Sequence, residues 1–188
     1  MNISRIADRL GYLLAAVGLL AVVHVANVLL QYELVQYGVL PRNVSKIWQI
    51  LTAPFIHGSN YHLVNNVIGL VIFGAIAVLK SKRYFFIASA LIIIVSGLLV
   101  WIFGRASLHV GASGWIFGLW SLSIATAFFD KRFWNIAIAL IVVFFYGGMI
   151  YGVLPGDPRI SFEFHLAGAL SGFLVAMWLH GRKGRRSR

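Results

Sequence analysis

Three short clusters hold most of the side chains in this 188-residue chain that could perform hydrolytic chemistry. They are His57-Gly-Ser-Asn-Tyr-His62-Leu-Val-Asn65-Asn66, Gly111-Ala-Ser113-Gly114-Trp-Ile-Phe117-Gly118 and His165-Leu-Ala-Gly168-Ala-Leu-Ser-Gly172. A neutral imidazole that takes the proton of a serine hydroxyl makes the oxygen nucleophilic. Ser113 is therefore the candidate nucleophile and His165 the candidate base. Acyl transfer also needs hydrogen-bond donors for the developing oxyanion. The Asn66 amide, the His62 imidazole and the backbone at Ser113 and Gly111 are the candidates. His62 and Asn66 stand four apart, so on a helix they share one face.

The elements that must position these groups follow from composition. The chain is 60% hydrophobic with a mean hydropathy of +0.87, against about 45–50% apolar for an ordinary soluble domain. The apolar residues fall in long blocks with short polar breaks, the pattern of a polytopic membrane protein. Six spans are expected, at 10–31, 59–79, 84–103, 113–129, 133–152 and 163–180. The fold class is thus all-α, a six-helix membrane bundle forming one domain over 1–188, with a core of about 10–180 and a basic tail at 181–188. The first block is long and lacks a small-residue cleavage site, so it is read as a retained span and not a signal peptide. The fourth and sixth spans are the shortest and contain Gly, Ser or His, which suits a bundle interior.

The formal net charge is +11, but its placement argues against nucleic acid. The basic residues Arg5, Arg9, Lys80, Lys82, Arg83, Lys131, Arg132 and the tail from Arg182 to Arg188 flank apolar blocks. With both ends cytoplasmic, all of these fall inside, as the positive-inside rule requires. The tail suits anionic lipid headgroups. No cysteine is present, which excludes disulfides, thiolate metal sites and a cysteine nucleophile.

This topology brings the clusters together. Spans two, four and six run from outside to inside, and each cluster lies at the start of one of them. All three then sit on the outer side at similar depth. Gly114 and Gly118, and Gly168 and Gly172, form faces on which helix backbones pack closely in lipid. Span four against span six brings Ser113 near His165. A third, acidic member is not expected: Asp8 and Asp130 lie on the inner side, Glu33 and Asp157 in loops, and Glu163 is two residues from His165 and points elsewhere. A Ser–His dyad oriented by packing is the expectation. His24 is read as a satisfied bundle-facing residue whose partner the sequence does not identify, His109 as an exposed rim residue, Asn65 as structural and His180 as interfacial. No metal is expected at His57, His62 and His165, because no acidic or cysteine ligand accompanies them. No cofactor is expected.

The three motifs together resemble the rhomboid protease family over about residues 10–180. They are the Gly-x-Ser-Gly opening of span four, the His-x4-His-x3-Asn of span two and the His-x2-Gly-x3-Gly of span six. The resemblance implies an intramembrane serine protease with Ser113 and His165 as its dyad. It places the oxyanion side chains on His62 and Asn66, the first motif histidine on His57 and the aromatic packed on the catalytic imidazole at Phe117. Many members have Trp-Arg in the first outer loop where this chain has Trp48-Gln49, and Ala where it has Phe164. The implied substrates are membrane-anchored proteins cut in or near a transmembrane segment, after a small residue in a helix that unwinds easily. The loop 153–162 and Phe144-Phe145-Tyr146 are candidate gate elements. A client-binding relative without activity usually lacks the Ser or the His, and a proton-relay transporter expects an acid within the spans or a broken helix at mid-membrane. Neither pattern is found. The compact core looks prokaryotic, which implies a plasma membrane; the oligomeric state is left open.

Overall fold

The computed structural model describes residues 3–181; the basic tail from Arg182 onward lies outside the described residues. Six α-helices follow in order: α1 (Ile3–Leu29), α2 (Asn60–Lys80), α3 (Lys82–Phe103), α4 (Ser113–Phe129), α5 (Phe133–Tyr146) and α6 (Phe162–Gly181). Among the described residues there is no strand, only one isolated antiparallel bridge between Val39 and His109. The all-α expectation holds. The segments Ile3–Leu29, Asn60–Lys80, Lys82–Phe103, Phe133–Val153 and Phe162–His180 are each long and apolar enough to cross a membrane. The protein is an integral membrane protein.

The remaining helix, α4, has 17 residues. At 1.5 Å per residue it spans about 25 Å, short of the ~30 Å hydrocarbon core. A helix that short and apolar on every side belongs in a bundle centre. Accordingly α4 is buried nearly all round, from Ser113 through Thr126, with α6, α5, α2 and α3 packed against it. In contrast, α5 leaves Leu140, Phe144 and Phe145 exposed on the outside of the bundle.

Two boundaries differ from expectation. Helix α1 starts seven residues before the expected position 10, because its polar first turns have a partner. Arg9 Nη1 donates to the Leu79 carbonyl at 2.6 Å and the Lys80 carbonyl at 3.3 Å, and a cation suits the C-terminal carbonyls of α2. The fifth span is α-helical only to Tyr146 and then tightens into a 3-10 segment, Gly147–Val153. This change of pitch aims the carbonyl of Gly152 at α6.

The segment between α1 and α2 is built from 3-10 turns at Glu33–Tyr37, Val44–Ile50 and Ala53–Phe55. It is fastened to α3 by Arg42, which donates to the carbonyls of Ile102 (3.2 Å) and Gly104 (2.8 Å), and by Trp101 Nε1, which donates to the Asn43 carbonyl at 3.1 Å. Gln49, where the family resemblance implies Arg, is buried, and its Nε2 donates to the Gln36 carbonyl at 2.9 Å. A neutral amide therefore ties this loop together from within. Trp48 packs beside Tyr37 at 6.0 Å with both rings partly exposed, which suits the headgroup zone.

Candidate active site

Ser113 opens α4 and is 7% exposed. It follows Gly111, whose φ of +111° is a conformation that L side chains rarely adopt. A methyl group on Gly111 would also lie 2.5 Å from His62 Nε2 and 3.3 Å from Asn66 Nδ2. The two side chains thus lie against the turn two residues before Ser113. Asn66 is buried, and its Nδ2 has no hydrogen-bond partner. The backbone N–H groups in the first turn of α4 have no intrahelical acceptor, so that of Ser113 is a further donor. Gly111 is a correction to the expected donor set. Its N–H is committed to the Ala53 carbonyl at 2.9 Å, and what it contributes is the space beside His62 and Asn66.

His57 sits just before α2 and is fully buried. Its Nε2 accepts from the Ala112 N–H at 3.4 Å, so it braces the peptide that leads into Ser113. Burial, with the neighbouring His62 and His24 rings, pushes the His57 imidazole down to about 3. It is therefore neutral and can accept. The His57 and His62 rings meet edge to face at 5.0 Å.

His165 lies in the first turn of α6. Its ring stacks flat on Phe117, with centroids 4.1 Å apart and planes 7° apart. Phe117 is one turn past Ser113 on α4, on the same face. The Nδ1 of His165 is 2.9 Å from the Gly152 carbonyl oxygen. A carbonyl only accepts, so Nδ1 carries the proton and the lone pair is on Nε2. Sequence reasoning expected orientation by packing; the Gly152 carbonyl is an addition it missed. No side chain signals it, because the bonding group is backbone. Among the described residues the Ser113 hydroxyl makes no hydrogen bond. Catalytic contacts commonly tighten only when substrate binds.

The close approach of α4 and α6 is of backbone on backbone. A methyl on Gly168 would strike the Gly114 carbonyl oxygen and lie 3.0 Å from Gly114 Cα; one on Gly172 would strike the Gly118 oxygen. Phe164, where the family resemblance implies Ala, is buried. It covers Gly114 and stacks on His109 at 6.2 Å.

His109 is the second correction. Expected on an exposed rim, it is only 1% exposed. Its Nε2 donates to the Arg105 carbonyl at 3.1 Å, which leaves Nδ1 to accept from the Ser161 hydroxyl at 2.6 Å. Burial holds its pKa below the usual imidazole range. Ser161 also accepts from the Phe164 N–H at 3.2 Å and so caps α6. Nearby, Arg105 Nη2 donates to the carbonyls of Pro158 (2.9 Å) and Ile160 (2.7 Å) and its Nε pairs with Glu163 at 3.4 Å. The loop before α6 is therefore fastened to the end of α3, and Glu163 is turned toward Arg105. Glu163→Gln is accordingly expected to lower activity by less than about threefold, an effect of the size expected for a partly exposed ion pair. A steady-state assay checks this, and a loss matching that of His165→Ala would show that Glu163 belongs to a triad.

The other minor readings separate in the same way. Asn65 is exposed and points away from Asn66. His24 is buried and satisfied as expected, and the partner that satisfies it is Asn60. Phe144 and Phe145 are exposed on α5, whereas Tyr146 packs on Phe73 at 5.3 Å.

One end of the bundle thus gathers a serine hydroxyl, an imidazole with a free Nε2 and several N–H donors, the groups that acyl transfer requires. A rhomboid domain family model matches residues 44–182, which includes all three clusters. Uncharacterized proteins of Mycobacterium tuberculosis and Mycobacterium bovis are each 32% identical over 185 residues, covering 94% of this chain and 77% of the relative. An uncharacterized protein of Mycobacterium leprae is also 32% identical, covering 94% of this chain and 73% of the relative. From the domain match and these relatives, on a six-helix membrane bundle, it follows that the chain belongs to the rhomboid family, a family of intramembrane proteases.

Proposed function

We propose that the protein is a serine endopeptidase that cuts membrane-anchored proteins in or near their transmembrane segments, with Ser113 and His165 as a catalytic dyad. The observation that carries this reading is the His165 ring, flat on Phe117 one turn from Ser113 and fixed in the Nδ1–H form by Gly152. In that tautomer Nε2 accepts the Ser113 proton as Oγ attacks the scissile carbonyl. The oxyanion that forms is met by the Asn66 amide, the His62 ring and the Ser113 N–H. His165 then protonates the leaving amine. A water, deprotonated by the same Nε2, releases the acyl group and restores the serine.

The substrate is a transmembrane protein with a small residue before the scissile bond and a segment that unwinds readily. The surrounding lipid is the second partner. The N- and C-termini are cytoplasmic and the dyad lies toward the outer face of a prokaryotic plasma membrane, as the basic flanks at Arg5, Arg9, Lys80, Lys82, Arg83, Lys131 and Arg132 favour.

The test is labelling of the purified protein with a fluorescent fluorophosphonate, alongside cleavage of a transmembrane peptide in proteoliposomes. Labelling that maps to Ser113 together with peptide cleavage is the expected result. A folded protein that shows neither is a client-binding relative and not a protease.

A further inference from the structure

Two buried polar residues of α1, His24 and Asn27, are not used by the proposed chemistry. They stand three apart on one helix face, and polar groups at membrane depth are costly unless they serve a purpose. Both face the segment that leads into α2. Asn27 Nδ2 donates to the His57 carbonyl at 3.0 Å, and Asn27 Oδ1 accepts from the Leu34 N–H at 3.0 Å. His24 Nε2 is 2.8 Å from Asn60 Oδ1. Since that oxygen only accepts, Nε2 carries the His24 proton. Asn60 is the first residue of α2, two before His62.

The His24 ring also meets the His57 ring edge to face, 6.3 Å apart at 77°. His57 spends its Nε2 on the Ala112 N–H, so its proton is on Nδ1, on the side of the Phe55 carbonyl. The Nδ1 of His24 has no hydrogen-bond donor. The rings of His24, His57 and His62 therefore form a continuous row from α1 to the candidate oxyanion site.

We propose that His24 is a positioning residue for the oxyanion site: by holding Asn60 and packing on His57 it fixes the first turn of α2, and with it His62 and Asn66. This rests on the proteolytic reading above. The first helix thereby contributes to catalysis although none of its residues touches substrate. Asn27 acts beside it by fixing the backbone of His57.

The experiment uses the full-length protein in proteoliposomes with a transmembrane peptide substrate. For wild type, His24→Leu, His24→Gln, Asn60→Ala and the His24→Leu/Asn60→Ala double variant, it measures kcat, KM and thermal unfolding. Leucine keeps α1 apolar and helical, so His24→Leu is expected to fold with a wild-type Tm. Its kcat is expected to fall about 10- to 100-fold, the size of loss that small misplacement of catalytic groups produces, with KM unchanged. Glutamine can still donate to Asn60 and is expected to return kcat to within about threefold of wild type. The double variant is expected to be no worse than His24→Leu, because both remove one interaction. A wild-type kcat in His24→Leu overturns the inference. So does a loss that appears equally in kcat and Tm and is not rescued by glutamine, since that is structural damage alone. If wild type itself cleaves nothing and Ser113 is not labelled, the proteolytic reading fails and the inference falls with it.

Discussion

Ser113→Ala is expected to reduce cleavage of a transmembrane substrate to the uncatalysed background, a loss on the order of 10⁴-fold or more. The protein should remain folded, because the Ser113 hydroxyl makes no hydrogen bond among the described residues and its removal leaves no donor or acceptor stranded. This separates the two roles a serine can have at a helix interface. A packing serine changed to alanine costs little in any assay, whereas a nucleophile costs everything in one assay and nothing in the other. Cleavage and thermal unfolding of the same preparation read the difference. His165→Ala is expected to match it in activity, since each residue is useless without the other. Substantial cleavage by Ser113→Ala would remove the dyad from consideration.

Gly168→Ala has the second largest expected effect, and it acts on the fold. By helix propensity alone the change stabilises a helix interior by about 1 kcal/mol. Here the added methyl strikes the Gly114 carbonyl oxygen. Backbone cannot rotate aside as a side chain can, so α4 and α6 must separate. Overpacking of this kind costs about 1–3 kcal/mol and sometimes more, which outweighs the propensity gain. Because Ser113 adjoins Gly114 and His165 lies one turn before Gly168, separation also carries the hydroxyl away from the imidazole. Activity should therefore fall along with Tm. Thermal unfolding in detergent and peptide cleavage check both arms. A raised Tm would mean that propensity wins and that the helices are less tightly apposed than the structure has them.

Much of this was legible in the sequence because it depends on local pattern. Long apolar blocks give helices, and the first residues of Ser113–Phe129 and Phe162–Gly181 fall within one position of those expected. The Gly114/Gly118 and Gly168/Gly172 spacings predict the helix pair that the structure brings into backbone contact. What escaped depends on partners distant in the chain. His109 looks like a loop histidine until Ser161, 52 residues later, reaches its ring. His24 has no identifiable partner until Asn60 is placed against it. The Gly152 carbonyl could not be found by scanning side chains, because the group that bonds His165 is backbone. Gly111, two residues before Ser113, reads in the sequence as one more backbone donor. Only its φ and the Ala53 contact show that it supplies space.

The use of the Gly152 carbonyl as the partner of His165 has a consequence for how the protein is made. A carboxylate in that place would put a formal charge on a segment that has to enter the bilayer, at roughly 2.5–3.5 kcal/mol on the insertion scale for a charge at the helix centre. A carbonyl borrowed from the end of the preceding span adds no charge to either segment. Each can partition into lipid on its own merits, and the bond to His165 forms afterward, when the helices assemble. In the mechanism proposed above the resting pair is electrically neutral, and charge arises in it only while a peptide bond is being cut. Biogenesis and chemistry thus make their demands on these residues at different times.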